Sequence, residues 1–130
     1  MKYMLILIGE EDWGDPTPEE SKAVMDRWSQ YGQELVDAGA FVAGEGLQES
    51  ATAKTLHVGA PPDRLVTDGP FAETKEQVGG FYVLECADMD EALEWAKKVP
   101  LTAGAIEVRP VMDYSQYEYE DPAAAEKAAT

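Results

Sequence analysis

Cysteine is almost absent from this 130-residue chain. Cys86 stands alone, so no internal disulfide can form and a disulfide-stapled secreted scaffold is excluded. Histidine is as scarce, and His57 by itself cannot supply the ligand sets of ordinary zinc sites. Basic residues are few: 10 Lys and Arg against 26 Asp and Glu leave a formal net charge of −16. The sole adjacent basic pair is Lys97-Lys98, so the clustered cations that a phosphate backbone requires are missing and direct nucleic-acid binding is not expected. Anionic membranes repel such a chain for the same reason. Long apolar runs are missing too. Met4 to Ile8 is too short for a signal-peptide core or a membrane span, and acidic residues follow it at once. The expected class is a soluble cytoplasmic protein.

What is present suits one globular domain. The apolar content is 45%, and a chain of this length can bury a real core without staples. Lys2 to Ile8 is apolar on both parities, as in a strand buried on both faces, until Gly9 and Glu10-Glu11-Asp12 stop it. Thr17 as cap, Pro18 at the first helical position and Glu20 three residues after the cap mark a helix start. Val24, Trp28, Tyr31 and Leu35, with Met25 and Val36 alongside, give its apolar stripe, and Gly39 ends it; the helix is expected at about residues 18–38.

Phe41 to Leu47 and Lys54 to Val58 are two β-like runs, expected to form an antiparallel pair. Pro61-Pro62-Asp63 breaks the chain, and Arg64 to Thr67 adds a short strand before the turn at Asp68-Gly69-Pro70. Ala72 to Gln77 is expected to form a short helical turn. Phe81 to Cys86 is a strand with apolar residues on both parities, and Asp88 caps a second helix that carries Met89, Ala92, Leu93 and Ala96 on one stripe. Lys97-Lys98 suits that helix's negative end, Pro100 stops it, and Ala105 to Val111 is the last strand.

This order is the α+β, ferredoxin-like β-α-β-β-α-β arrangement. Residues 1–112 form the domain, and residues 113–130 an acidic tail whose Tyr114, Tyr117 and Tyr119 suit an edge strand, a clasp over a partner or a solvated appendage. The Ala123 to Ala129 run is too short to be a stable helix alone. Two helices cover one face of a sheet, yet the strands at 3–8 and 81–86 are apolar on both. The second face therefore calls for a second subunit, most simply in a C2 homodimer.

Alternation places the candidate chemistry. With Ile106 and Val108 toward the helices, Glu107 and Arg109 fall on the partner-facing side, and Glu85 joins Phe81 and Val83 there. If Leu56 and Val58 also face the helices, His57 points the same way. His57 then suits a base or a ligand, or is a strand histidine with its hydrogen bonds met. Cys86 sits against a helix, in surroundings that do not mark a nucleophile. Glu45 lies between Gly44 and Gly46, where backbone is open to a ligand or a bulge. Asp68-Gly69-Pro70 forms either a site or an Asx turn, with Phe71 anchoring the loop. Glu73 and Glu76 can share a face and hold a cation with Asp68, but such carboxylates also describe solvated loops; no metal or cofactor is assigned.

The stretch Val66-Thr67-Asp68-Gly69-Pro70-Phe71-Ala72-Glu73-Thr74-Lys75-Glu76-Gln77-Val78-Gly79-Gly80-Phe81-Tyr82 resembles the signature of the YCII-related, or DGPF-domain, proteins. Lys2-Tyr3-Met4-Leu5, Gly44-Glu45-Gly46-Leu47 and Ala105-Ile106-Glu107-Val108-Arg109-Pro110-Val111 fit as well. The resemblance implies a dimeric α+β barrel. It implies a His–Asp pair in a pocket for one branch, and for many relatives a gene beside an extracytoplasmic-function sigma factor. Asp68 matches the motif Asp, whereas His57 occupies no matched signature position. The resulting expectation is a homodimer that binds a small molecule between subunits. Asp68 would be its base, His57 and Glu45 partners of Asp68, Arg109 an anion anchor, and Glu107 and Phe71 further contacts. The rival is an interaction module without chemistry that regulates a sigma-type transcription factor through its acidic surface.

Overall fold

The computed structural model describes residues 1–59, 65–117 and 122. Pro61-Pro62-Asp63, Arg64 and the tail residues Glu118 to Asp121 and Ala123 to Ala129 lie outside the described residues. Strands β1 (Lys2–Glu10), β2 (Phe41–Gly46), β5 (Glu76–Glu85) and β6 (Ala105–Pro110) form a sheet in the order β2-β5-β1-β6. Every pairing in it is antiparallel. Helices α1 (Pro18–Asp37) and α2 (Met89–Lys98) provide the two crossovers, and the strand order is ferredoxin-like. A separate hairpin of β3 (Lys54–His57) and β4 (Leu65–Asp68) is inserted between β2 and β5.

Both helices start where the caps predict. The Thr17 hydroxyl accepts from the Glu20 backbone N–H at 3.1 Å, and the Asp88 carboxylate accepts from that of Glu91 at 2.9 Å. The return contacts differ from an ideal capping box: the Glu20 carboxylate takes the Thr17 hydroxyl, and Glu91 reaches back to the Ala87 N–H at 2.8 Å. Past α1 the Gly39 N–H donates to the Val36 carbonyl at 3.0 Å, closing the last turn.

The two inner strands explain the apolar runs. Tyr3, Leu5 and Leu7 share the helix side with Leu84 and Tyr82 of β5 and with Ile106 and Val108 of β6, as the register and the core packing require. Leu5, Leu84 and Leu35 of α1 are fully buried, joined by Ala92 and Ala96 of α2. The helical stripes are narrower than the sequence pattern: Val24, Met25, Val36 and Leu93 stay exposed, while Trp95 joins the core.

Two features depart from the sequence reading. The run at 54–58 does not pair with that at 41–47; β2 takes β5 as its neighbour, and β3 takes β4. No helical turn forms at Ala72 to Gln77. Instead β5 starts at Glu76, because Glu76, Gln77 and Val78 pair with Glu10, Gly9 and Ile8. The Gln77 amide donates to the Ala72 and Thr74 carbonyls at 2.8 and 3.1 Å and folds the loop on itself. In the tail, Tyr114–Gln116 is a 3₁₀ turn capped by Asp113, whose side chain accepts from Ser115 N–H at 3.0 Å.

The helices are joined by an aromatic knot. The Tyr31 hydroxyl donates to the Trp95 carbonyl at 2.9 Å, and the Tyr31 ring packs edge-on against Tyr82, with centroids 5.4 Å apart. Burial pushes the Tyr31 phenol above its ordinary value of 10.0, with Tyr82 and Cys86 adding to the rise. The folded protein therefore holds this proton to higher pH than the unfolded chain does. Its contribution to stability is complete below pH about 10 and is lost as the pH rises further. Tyr31→Phe is expected to cost about 1 kcal/mol at neutral pH, and urea unfolding curves should show the gap to wild type closing as the pH is raised above about 10.

Candidate functional site

A cavity of about 590 Å³ lies at one end of the sheet. The chain builds most of it from four places. β1 supplies Ile8 to Glu10 and leads to Glu11 and Trp13; α1 supplies Met25 and Trp28; β2 supplies Gly44-Glu45-Gly46; and β5 supplies Gly79-Gly80-Phe81-Tyr82. The β1–β5 ladder slips between Leu7 and Ile8, so Gly79 has no partner in the register and the strands bend there. Lining residues come from both sides of the sheet: Leu7 and Tyr82 from the helix side, Ile8 and Phe81 from the other.

Glycine makes the space. A Cβ on Gly44 would lie 2.7 Å from Tyr82 Cδ1, and one on Gly80 would lie 2.8 Å from the Glu45 carbonyl oxygen, whereas Gly46 and Gly79 have nothing within 4 Å. Gly44 thus lets the Tyr82 ring lie over β2, where it runs nearly parallel to Trp28 at 6.5 Å between centroids. Three glutamates, Glu10, Glu11 and Glu45, line the cavity, and among the described residues no Lys, Arg or His does. Glu11 is engaged: it accepts from the Ser50 backbone N–H at 2.6 Å and from the Ser50 hydroxyl, tying the end of β1 to the 3₁₀ turn Ser50–Thr52.

The residues singled out from sequence fall in three places. Glu45 lines the cavity, opposite Phe81 in the ladder. Glu107 and Arg109 share the sheet face away from the helices and pair with each other at 2.5 Å. Glu85 lies on that face too and pairs with the Met1 amino group at 2.5 Å. Asp68, His57 and Phe71 belong to the hairpin and its exit. The expectation that Leu56 and Val58 face the helices is corrected: both are exposed on a hairpin that is no part of the main sheet, so the argument for aiming His57 into the partner-facing face does not hold.

Within the hairpin the contacts are local. His57 Nε2 lies 3.0 Å from the Thr67 hydroxyl, and its ring is 6.2 Å from that of Phe71, which is 84% exposed. Asp68 is ion-paired to Lys54 at 2.6 Å and its side chain is 86% exposed. The turn that follows is held by backbone: Gly69 adopts φ +95°, donates to the Ala53 carbonyl at 2.7 Å and accepts from the Thr55 hydroxyl at 2.8 Å. Asp68 also borders a shallow depression of about 540 Å³ with Glu73, Thr74 and Lys75. Among the described residues no group of three or more His, Cys, Asp or Glu is arranged to hold a metal ion. Burial pushes the Cys86 thiol up, and Glu91 and Glu85 add to the rise, which leaves little thiolate.

Trp13, Met25, Trp28 and Glu10 are among the cavity residues that sequence reasoning missed as such. Trp28 sits on the helical stripe and reads as core, and Glu10 reads as the end of a strand. Trp13 carried the usable signal, a large aromatic in a polar Gly- and Pro-containing loop, and it is 62% exposed.

The sequence profile of the YCII-related domain matches residues 1–115. The chain is similar to an uncharacterized protein of Rhizobium meliloti (strain 1021), 41% identical over 122 residues that cover 88% of this chain and 94% of that protein. No helix among the described residues is long and apolar enough to cross a membrane.

The glycine geometry makes a paired prediction. Gly44→Ala forces Tyr82 off Trp28 and should destabilise the protein by about 1–3 kcal/mol, whereas Gly46→Ala, which meets open space, should leave the denaturation midpoint within about 0.5–1 kcal/mol of wild type. Chemical denaturation of both variants checks it.

Proposed function

The chain belongs to the YCII-related family, and from that footing we propose that it is a homodimer which binds a small molecule at the end of its sheet, in a pocket completed between subunits. The observation that carries this reading is that one cavity is lined both by Trp28 and Tyr82 under the helices and by Ile8 and Phe81 on the face the helices leave bare. That bare face carries Met4, Ile6, Ile8, Phe81 and Val83, each only half-buried in one chain, and Val78, which is exposed. Apolar area of this kind is normally covered, and a C2 pairing of sheets covers it with the fewest new parts. The volume lies in the range of ordinary small-molecule sites.

Two sheets placed face to face would make the dimeric α+β barrel and bring Glu107 and Arg109 of each chain into the interface. Glu45 is then the carboxylate nearest the ligand, suited to accepting or returning a proton. Asp68 and His57 enter the site through assembly, from the hairpin, with Asp68 as base and Phe71 closing over the ligand. An interaction module for a sigma-type partner is the second reading, favoured by the exposed apolar surface of the hairpin, where Leu56, Val58, Leu65, Val66 and Phe71 all meet solvent.

Light scattering should give twice the 14.2 kDa chain mass, and Ile6→Asp, which puts a charge into the interface, should give monomer with ligand binding lost; a monomeric wild type would sink the dimer. Asp68→Ala removes one exposed ion pair, worth at most about 1 kcal/mol, so the fold should survive while turnover or binding falls. Unchanged binding and turnover in Asp68→Ala would remove Asp68 from the site. Salt-sensitive capture of a sigma-type factor, unaffected by Glu45→Gln, would favour the module instead.

A further inference from the structure

We infer that the ligand class of this cavity is an organic cation, an ammonium group carrying apolar or aromatic substituents; this rests on the reading of the cavity as a small-molecule site. Two independent properties of the wall point the same way. The first is aromatic: Trp13, Trp28, Tyr82 and Phe81 line one space of about 590 Å³, and ring faces attract a cation that has shed part of its water. The second is electrostatic. Glu10, Glu11 and Glu45 line the same space, and among the described residues no basic residue lines it and neither Glu10 nor Glu45 has an ion-pair partner.

Other ligand classes fit less well. An anion meets three glutamates and, among the described residues, no cationic side chain, and the whole molecule, at −16, repels it further. A bare metal ion needs a shell of oxygen ligands, whereas most of this wall is carbon and the described carboxylates form no metal-holding group. A neutral apolar molecule would fill the volume but leave the carboxylates unused. An alkylated ammonium uses both: its substituents displace water from Met25, Leu47 and the rings, and its charge meets Glu45 and Glu10 at the rim. The open positions at Gly46 and Gly79 let it pass close to the backbone.

The test titrates the full-length protein with phenyltrimethylammonium, its neutral isostere tert-butylbenzene and the anion 4-tert-butylbenzoate, read by tryptophan fluorescence and calorimetry. The cation should bind best, and more weakly as salt is raised, because the rim charges are partly screened. Glu45→Gln and Trp13→Leu, both at exposed positions, should each weaken the cation roughly three- to tenfold, while Glu19→Gln on the outer side of α1 should not. If the neutral isostere or the anion binds as tightly as the cation, the ligand class is wrong and the cavity reading stands. If none of the three binds, the cavity reading fails, and this inference with it.

Discussion

Two inner strands carry apolar side chains on both faces, and only one face has helices to meet them. β1 and β5 lie side by side at the centre of the sheet, so Leu5 and Leu84 look into the helical layer while Ile6, Phe81 and Val83 look out the other way. The helical side is saturated: Tyr31, Leu35, Ala92 and Ala96 fill it, and Tyr31 and Trp95 lock the helices together. The opposite side is left with half-buried hydrocarbon that the helices do not cover, and burial of such area is worth roughly 25 cal/mol per Å². The proposed pairing of two chains rests on that imbalance.

The cavity arises where the same two strands fall out of step. An extra residue in β5, at Gly79, bends the ladder, and the neighbouring glycines leave out the side chains that would otherwise fill the bend. What remains is bounded by rings and bordered by carboxylates. Glu11 holds the geometry by binding Ser50, which leaves Glu10 and Glu45 to face the space. The glutamates that border this space belong to a chain of net charge −16, so the potential around it favours positive over negative groups.

Much of the fold was legible because its determinants are local. Thr17, Pro18 and Asp88 set the helix starts, and alternation at Ile106 and Val108 set the faces of β6. The hairpin was misread because β3 and β4 are short, and a run of four or five residues does not state its partner. β5 was read too short because Glu76 and Gln77 are poor strand formers, held in the ladder by Glu10 and Gly9 from far away in sequence. Of the residues lining the cavity, Glu45 was singled out by its flanking glycines. Trp28 was not, since a helical aromatic looks the same whether its outer edge meets core or cavity.

The sequence by itself determined the family, the two capped helices and the faces of β6, because periodicity and capping act within a few residues. It also excluded disulfides and, through its charge, disfavoured polyanionic partners. Only the tertiary structure decided that Asp68 pairs with Lys54, that His57 belongs to a hairpin outside the main sheet, and that Trp13, Trp28 and Glu45 share one space. Those placements depend on which strands pair and in what register, and the shared space also on the slip between Leu7 and Ile8, which no local pattern announces.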